Sequence, residues 1–217
     1  GKNLVGAFHQ PTKVIIDTTL ISTLPKRELY AGFAEVIKYS LICDKNFFQY
    51  LDLNYKKILM MKKPFLEDLV FKSCLIKSKI VSQDEKEKGV RAFLNLGHTF
   101  GHAFEALLNY KNSHLIHGEA VAIGICMAFR LSEKLNLCSK DDVIKVENII
   151  SKFKLPNSIK KHKNLKLDYK KVFKKLYSDK KVKNGKLTFV LPKGIGNTIL
   201  KNNLKEKTIL DFLKEEI

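Results

Sequence analysis

The sequence predicts a mainly α-helical chain with little sheet. Apolar residues recur at helical spacing over three long stretches, namely 26–42, the residues that follow Pro64, and 117–137. The strand-like patterns are short: residues 14–17 near the start, and a small hairpin near the end that includes residues 187–191. The chain has 217 residues, 45% of them hydrophobic, which is enough to bury a substantial core.

The composition is strongly basic, because 40 Lys and Arg residues outnumber 22 acidic residues and give a formal net charge of +18. Most of the excess is Lys spread along the whole chain, and Arg occurs only at Arg27, Arg91 and Arg130. No cluster of Arg and aromatic residues suited to stacking on bases is visible. We therefore predict no nucleic-acid partner and interpret the charge as a field that attracts anionic substrates. A basic nucleic-acid-binding module that uses residues 160–186 is the remote alternative.

The sequence carries no membrane or disulfide signal. There is no apolar run of about 18 residues and no signal peptide, so no membrane partner is predicted. The cysteines are widely spaced, without a C-x2-C pair, and each lies in an apolar helical context. We expect free thiols in a reducing, cytoplasmic compartment. These cysteines are Cys43, Cys74, Cys126 and Cys138.

In chain order, the first element is the run Val14 to Asp17, which is interpreted as a short buried strand that ends in an acid. Because a lone strand leaves backbone groups unpaired, this one is predicted to complete a sheet whose other strands lie elsewhere. Pro25 then suits the first turn of a helix. Since the chain begins at Gly1 rather than Met, we expect it to be the interior part of a longer protein.

The helix over residues 26–42 carries two opposite charges. Glu35 and Lys38 are three residues apart, which is the spacing of an ordinary exposed ion pair. However, Glu35 lies within the run from Phe33 to Ile37, which is apolar nearly all round the helix. A buried carboxylate needs a cation or a metal, so an ion pair and a metal ligand both stay open.

The next helix begins after Pro64, and its core stripe includes Leu69 and Ile80. Lys77 falls in the middle of this stripe by helical angle. Its methylene chain could reach out to solvent, or it could be a buried lysine that binds an anion. The charged residues 83–89 after this helix are interpreted as a connector.

The later elements are predicted mainly from the residues at their ends. They are a buried helix over 117–137, helices over 140–153 and 169–177 that begin at the caps Ser139 and Asp168, a tight turn at Asn184-Gly185, and a last helix over about 205–216.

The most informative stretch is 91–119. At about 100° per residue, five polar side chains would fall within an arc of roughly 80° on one helix. These side chains are Arg91, Asn95, His98, His102 and Glu105. Gly97 and Gly101 leave the helix without side chains beside this polar stripe. Each lowers helix stability by about 1 kcal/mol relative to Ala, so a small group is expected to lie against this face. One helix is therefore predicted to run from Arg91 through Glu105.

The histidines raise the question of metal binding. A single His on a helix is usually a hydrogen-bonded structural residue, and an H-x3-H pair alone binds metal only occasionally. Here a third histidine, His117, stands at the mouth of the buried helix. It could bind a metal shared with His98 or His102, and the residues by themselves leave this choice open.

Several strings resemble the 3-dehydroquinate synthase family, in the family's order and over nearly the whole chain. The strings are GKNLVGAFHQP at 1–11, LPKRE at 24–28, AEVIKY at 34–39, KSKIV at 77–81, the acids and glycine between Asp84 and Arg91, LNLGHTFGHA at 94–103, HGEAVA at 117–122 and DKK at 179–181. LNLGHTFGHA in particular is highly specific.

This resemblance implies an NAD- and divalent-metal-dependent lyase of the shikimate pathway, with Zn²⁺ as the metal and Co²⁺ possible. The implied substrate is a phosphorylated sugar acid, 3-deoxy-D-arabino-heptulosonate 7-phosphate, and the implied products are 3-dehydroquinate and phosphate. The family fold implies the end of an α/β NAD-binding domain at residues 1–24 and a helical metal- and substrate-binding domain at 25–217. A cytoplasmic homodimer is expected for the full-length protein.

The family's functional residues carry over position by position. Its zinc ligands match Glu35, His98 and His117. Its catalytic positions match His102, Glu87 and Lys38. Its substrate-binding positions match Lys77, Arg91, Asn95, Lys180, Lys181 and Asn3, with the choice between the two last lysines left open. Its cofactor contacts match Lys2, Asn3, Leu20, Ile21, Ser22 and Thr23.

The chain departs from the family pattern in two places. The spacing from His98 to His117 is a little longer than expected, which is interpreted as a loop insertion that brings in His114 as a decoy for the true ligand. The family's dinucleotide-binding glycines precede Gly1, so the chain alone is predicted to be inactive. Two sister enzymes remain as alternatives: a related sugar-phosphate cyclase, which would keep the set of anion-binding residues, and a metal-dependent polyol dehydrogenase, which would usually lack it.

Overall fold

A computed structural model describes residues 5–6, 9–86, 89–110, 114–161, 165, 167–178 and 187–217. Its α-helices are α1 (Lys26–Cys43), α2 (Lys45–Leu59), α3 (Phe65–Gln83), α4 (His98–Leu107), α5 (His117–Lys134), α6 (Lys140–Lys152), α7 (Tyr169–Ser178) and α8 (Glu206–Glu216). Short 3-10 helices span Thr18–Thr23, Val90–Asn95 and Ile159–Lys161. Strands β1 (Phe189–Pro192) and β2 (Thr198–Lys201) pair antiparallel, with Phe189 opposite Lys201. The predicted mainly α-helical class with a small hairpin is confirmed.

Helix α5 is the centre of the fold. It is buried at nearly every position from Gly118 to Ser132, and it packs against α1, α4, α6 and β1. A helix that is apolar all round is stable only where other elements enclose it, so the other helices are arranged around this one. No helix in the part of the chain that the structure describes is long and apolar enough to cross a membrane.

The predicted helix caps and the hairpin anchor the outer elements. Ser139 Oγ accepts a hydrogen bond from the backbone N of Asp142 at 3.1 Å. Asp168 Oδ1 accepts one from the backbone N of Lys170 at 2.7 Å. Both residues therefore satisfy otherwise unpaired N–H groups at helix starts, as predicted. The hairpin is tied to the end of α1, because the backbone N of Gly196 donates to the carbonyl oxygen of residue 41 at 3.0 Å.

Helix α2 has no counterpart among the sequence predictions. Asp44 caps it by accepting a hydrogen bond from the backbone N of Phe47 at 2.8 Å. Phe47, Leu51 and Ile58 are buried on one face, and their spacing of i, i+4 and i+11 is a helical signal. The sequence itself therefore contains the signal for α2.

The strand predicted over residues 14–17 is wrong for this chain. Val14 and Ile15 are 70% and 82% exposed. Asp17 instead caps the first 3-10 helix, where its Oδ1 accepts a hydrogen bond from the backbone N of Thr19 at 2.9 Å. Apolar β-branched residues form a strand only where a neighbouring strand pairs with them, and the one sheet within the described residues is the β1–β2 hairpin.

The single helix predicted from Arg91 through Glu105 is also wrong. A 3-10 helix ends at Asn95, and α4 begins only at His98. Gly97 between them has a φ of +80°, a left-handed conformation that favours glycine. A Cβ atom at this position would lie 2.7 Å from the side chain of Ile125 on α5. The chain therefore leaves the helical path at Gly97, and close packing on α5 leaves room only for glycine at this position.

Candidate metal centre

Three helices bring together the three residues that were predicted as metal ligands. Glu35 lies on α1, and His98 and His117 are the first residues of α4 and α5. Glu35 Oε1 lies 3.6 Å from His98 Nε2 and 3.9 Å from His117 Nε2. One potential ligand atom from each residue lies within 4.8 Å of the other two, so a single ion could contact all three.

The close approach of α1 to α5 sets these distances. Gly118, which follows His117, packs directly on Ala31 of α1. A Cβ atom at Gly118 would lie 2.1 Å from the carbonyl oxygen of Ala31, and Ala31 is about one helical turn before Glu35. Backbone contact between the two helices therefore places one predicted ligand, on α1, opposite another, on α5.

His98 presents an Nε2 atom without a hydrogen. Its Nδ1 lies 3.2 Å from the carbonyl oxygen of Leu96. A carbonyl oxygen can only accept, so Nδ1 carries the hydrogen and the Nε2 of the neutral ring carries a lone pair. Burial and, secondarily, the Lys38 ammonium group lower the pKa of His98 to about 2. The ring is therefore neutral near pH 7, and its contact with Glu35 is not an ion pair.

His117 is oriented by a carboxylate. Its Nδ1 lies 3.1 Å from Glu105 Oε1, and Glu105 is only 6% exposed. Because an ionised carboxylate accepts hydrogen bonds, Nδ1 donates and Nε2 is left facing Glu35. Glu105 belonged to the polar stripe seen in the sequence, but no role was predicted for it.

The carboxylate of Glu35 is bonded at one oxygen only. Lys38, itself 3% exposed, donates from Nζ to Glu35 Oε2 at 2.5 Å. Glu35 Oε1 is buried and has no hydrogen-bond partner within the described part of the chain. The two alternatives left open for Glu35 are thus compatible, because one oxygen forms the ion pair while the other faces the histidines.

Three acceptor atoms therefore converge without a hydrogen between them. Such atoms repel one another unless a cation lies among them, and a buried carboxylate oxygen without a partner is costly. A proton on His98 would relieve the repulsion, but the lowered pKa of that ring opposes it. Two imidazole nitrogens and a carboxylate oxygen are ligands that Zn²⁺ prefers. The residues present fit a divalent metal with three protein ligands.

The buried, neutral His98 predicts acid sensitivity of the metal-free chain. An unfolded histidine has a pKa of about 6.5, whereas the folded value is about 2. Below about pH 6.5 the unfolded state therefore binds a proton that the folded state does not, and the free energy of unfolding should fall by up to about 1.4 kcal/mol per pH unit. Urea unfolding at several pH values between about 7 and 4.5 measures this slope. His98→Gln should flatten it, and an equal slope in this variant would contradict the prediction.

His102 and His114 are placed differently. The ring centroid of His102 lies 5.2 Å from that of His98 and 6.1 Å from that of His117. His102 groups with Glu105 and His117 rather than with the Glu35 set. His114 is exposed, and its side chain belongs to neither of the potential metal-binding groups in the described residues. The geometry thus favours His98 as the second histidine of the centre.

Lys77 does not occupy the buried stripe that was predicted for it. It is exposed on α3, whereas the neighbouring Ile76 and Ile80 are 8% and 7% exposed. Phe71 and Leu75 are also largely exposed, at 66% and 55%. The buried face of α3 is therefore narrower than its apolar residues suggest, because α1, α2 and the second 3-10 helix cover only part of it. Lys77 stays a predicted substrate ligand, but from an exposed position.

Arg91 and Asn95 lie on the 3-10 helix that leads into α4, and this helix packs on α1 and α3. The charged connector holds this segment in place. Asp84 Oδ2 accepts hydrogen bonds from the backbone N of Gly89 at 2.7 Å and of Arg91 at 3.0 Å. The guanidinium of Arg91 also donates to the carbonyl oxygen of Glu85 at 2.5 Å. Asp84 and Glu85 at the start of the connector therefore support a predicted substrate-binding residue.

Other predicted site residues are less informative. Leu20, Ile21, Ser22 and Thr23 form most of the first 3-10 helix. Its hydroxyl groups bond within the helix, since Ser22 Oγ and Thr23 Oγ1 donate to backbone carbonyls at 2.7 Å each. Leu20 is 61% exposed. Five further predictions lie outside the described residues, namely Lys2, Asn3, Glu87, Lys180 and Lys181.

An ion pair that was not predicted holds the backbone just before His117. Arg27 donates from Nε and Nη2 to Glu119 Oε1 at 2.8 Å and Oε2 at 2.6 Å. Glu119 Oε2 also accepts a hydrogen bond from the backbone N of Ile116 at 3.1 Å. Both charged residues occur in strings noted in the sequence, but no spacing rule connects residues 92 positions apart.

Family models match nearly all of the chain. A model described as 3-dehydroquinate synthase C-terminal matches residues 32–182, and one described as 3-dehydroquinate synthase N-terminal matches residues 1–31. The chain is 44% identical over 216 residues to the 3-dehydroquinate synthase of Agrobacterium fabrum and 43% identical over 217 residues to that of Pelagibacter ubique. Both alignments cover 100% of this chain but only 57% and 58% of those proteins.

Solved structures share this fold. ValA, the 2-epi-5-epi-valiolone synthase of Streptomyces hygroscopicus with NAD⁺ and Zn²⁺ bound, is 22% identical with a TM-score of 0.84, covering 99% of this chain and 58% of that one. A 2-deoxy-scyllo-inosose synthase complexed with carbaglucose-6-phosphate, NAD⁺ and Co²⁺ is 26% identical with a TM-score of 0.76, covering 100% of this chain and 60% of that one.

Proposed function

The chain belongs to the 3-dehydroquinate synthase family, and from this premise we propose that it supplies the metal- and substrate-binding part of a 3-dehydroquinate synthase. This lyase would convert 3-deoxy-D-arabino-heptulosonate 7-phosphate to 3-dehydroquinate and phosphate, in the shikimate pathway to chorismate and aromatic amino acids. Relatives that carry this name are 41–44% identical over the whole chain. The two other synthases are only 22% and 26% identical, which favours the first activity over theirs.

The observation that carries the proposal is the convergence of Glu35 Oε1 with the Nε2 atoms of His98 and His117. We propose that these three residues hold a divalent metal, Zn²⁺ or alternatively Co²⁺. Three protein ligands leave coordination positions open for a substrate, as in catalytic zinc sites. A metal bound there would supply Lewis acidity, which lowers the pKa of a hydroxyl group.

The other residues would bind and orient the substrate. Lys38 holds Glu35 through Oε2, so that Oε1 stays turned toward the histidines. Arg91, Asn95 and Lys77 offer cationic and amide donors, which suit the carboxylate and phosphate of the substrate. Lys180, Lys181 and Asn3 are proposed for the same purpose on the family match alone.

Proton transfer is proposed for His102 and Glu87. The His102 ring lies next to His98, with ring centroids 5.2 Å apart, so it could hold or release a proton beside the metal ligands. Glu87 rests on the family match alone. A histidine suits this role because its unperturbed pKa lies near neutral pH.

NAD would act as the hydride acceptor and donor of the reaction. The proposed contacts from this chain are Lys2, Asn3 and residues 20–23, which belong to a segment of 1–24 that ends an NAD-binding domain. The described residues contain no parallel sheet and no glycine-rich turn between strand and helix, the usual site for a pyrophosphate. We therefore propose that most of the NAD site lies in the region of the relatives that this chain does not cover.

The surroundings of the enzyme are part of the proposal. We propose a cytoplasmic homodimer that binds no nucleic acid. The free thiols of the four cysteines suit a reducing compartment. Tight binding of DNA with a steep salt dependence, together with no bound zinc, would instead support the basic nucleic-acid-binding module.

Phosphate release tests the proposed reaction. With Zn²⁺, NAD⁺ and 3-deoxy-D-arabino-heptulosonate 7-phosphate, a full-length enzyme that contains this chain should release phosphate. The 217-residue chain alone should release none above background, because it lacks most of the proposed NAD site. A colorimetric phosphate assay, run in parallel with glucose 6-phosphate, measures both.

Each other outcome has a distinct meaning. Phosphate release from glucose 6-phosphate alone would support a related sugar-phosphate cyclase. Accumulation of NADH with a polyol and without phosphate release would support a polyol dehydrogenase. Turnover by the 217-residue chain at the rate of the full-length enzyme would contradict the proposed location of the NAD site.

A further inference from the structure

Glu105 is an acid in an unexpected place. It lies on α4 and is 6% exposed, in a helix whose other buried residues are apolar or glycine. Burying a carboxylate costs free energy unless a hydrogen-bond donor or a cation compensates for it. One contact that compensates here is the hydrogen bond with His117 Nδ1, at 3.1 Å. Because burying this carboxylate costs free energy, we infer that its contact with His117 has a functional role.

Glu105 and His98 lie on the same face of α4. They are seven residues apart on α4, which is close to two full turns, so both face α5 from the same side of the helix. His117, at the start of α5, lies between Glu105 and Glu35. Its Nε2 is 3.9 Å from Glu35 Oε1, while its Nδ1 contacts Glu105. One face of α4 thus contributes a predicted metal ligand and a carboxylate that holds another.

The two histidines differ in how firmly packing holds them. The side chain of His98 is 12% exposed, whereas that of His117 is 40% exposed. Surrounding atoms and the carbonyl of Leu96 fix the ring of His98. The ring of His117 has less support from packing, so its rotation about χ2 depends more on the hydrogen bond at Nδ1.

We propose that Glu105 is a positioning residue for the metal centre. It accepts the Nδ1 hydrogen of His117, which fixes the tautomer and turns the Nε2 lone pair toward Glu35. This inference rests on the proposed function, because it presupposes a metal at Glu35, His98 and His117. Carboxylates that accept from the second nitrogen of a ligating histidine orient the ring and raise its basicity. Glu105 itself binds neither metal nor substrate.

The test is metal affinity rather than turnover. Zn²⁺ dissociation constants, measured by chelator competition, should be about 10–100-fold weaker for Glu105→Gln than for the unmodified chain. The visible spectrum of bound Co²⁺ should change, because the imidazole loses its charged partner. Glu147→Gln is the matched control, since Glu147 accepts a hydrogen bond from Arg130 at 2.7 Å but does not contact the histidines. It should bind Zn²⁺ as the unmodified chain does.

Urea unfolding without metal separates positioning from a general loss of structure. Glu105→Gln should unfold near the urea concentration of the unmodified chain. If this variant does not fold, Glu105→Asp keeps the charge but moves the carboxylate back by about 1.5 Å, and it should also weaken Zn²⁺ binding. Unchanged Zn²⁺ affinity and Co²⁺ spectrum in a folded Glu105 variant would overturn the inference. So would binding of two ions per chain, since Glu105 would then be a ligand of a second site with His102. Absence of Zn²⁺ binding by the unmodified chain would instead contradict the proposed function.

Discussion

Glu35→Gln in a full-length enzyme that contains this chain should abolish tight Zn²⁺ binding and lower turnover by about a thousandfold or more. Glu35 contributes the only negative charge among the three proposed ligands. The amide of Gln carries no charge, and it can turn an N–H group toward the lone pairs of His98 and His117. A metal acting as a Lewis acid contributes several kcal/mol of transition-state stabilisation. Because about 1.4 kcal/mol corresponds to a tenfold change in rate, its loss accounts for the thousandfold decrease in turnover. Metal content after dialysis and the phosphate-release assay measure the two effects.

A second Glu→Gln variant shows whether the effect depends on the position of the charge or on its loss alone. Glu133 lies near the other end of α5 from His117 and is exposed. Glu133→Gln removes the same charge, and it should leave both metal content and turnover unchanged. If Glu35→Gln retained one Zn²⁺ per chain and full turnover, the proposed metal centre would be in the wrong place.

Local signals predicted much of the fold. The helix over 26–42 begins at Lys26 and ends at Cys43, because its apolar spacing and the preceding proline are properties of the segment itself. Ser139 and Asp168 cap the helices they were expected to cap. These features depend on residues close in sequence, so a single sequence contains the information needed to predict them.

The failures depend on neighbours distant in sequence. The helix breaks at Gly97, where a Cβ atom would lie 2.7 Å from Ile125 of α5, and no periodicity can reveal such close packing. Lys77 is exposed because few elements cover α3. Val14 is exposed because the described residues offer no strand to pair with it. In each case the partner surface, rather than the segment, decides the outcome.

The proposed metal centre could be predicted only in part. From the residues alone, the choice between His98 and His102 as the partner of His117 stayed open, and only the family resemblance named Glu35 as the third ligand. The geometry favours His98 because its Nε2 lies 3.6 Å from Glu35 Oε1 on α1, whereas His102 is not grouped with Glu35. The proposed role of Glu105 and the Arg27–Glu119 ion pair could not be predicted, since both depend on helix packing.

Gly118→Ala should destabilise the metal-free chain by about 3 kcal/mol, the upper part of the range for overpacked sites. The added Cβ would lie 2.1 Å from the carbonyl oxygen of Ala31. Neither backbone can rotate out of the way as a side chain would, so α1 and α5 must separate by about 1 Å. Metal sites tolerate displacements of only about 0.5 Å. Zn²⁺ affinity should therefore fall by at least about tenfold, because His117 moves away from Glu35.

Gly32 on α1 provides the matched control for Gly118→Ala. A Cβ atom at Gly32 would meet no atom within 4 Å. Gly32→Ala should therefore stabilise the chain by roughly 1 kcal/mol through helix propensity alone, with unchanged Zn²⁺ affinity. The two Gly→Ala changes thus have opposite expected signs in urea unfolding, although they are chemically identical. If Gly118→Ala were as stable as Gly32→Ala, backbone contact between α1 and α5 could not be what sets the spacing of the ligands.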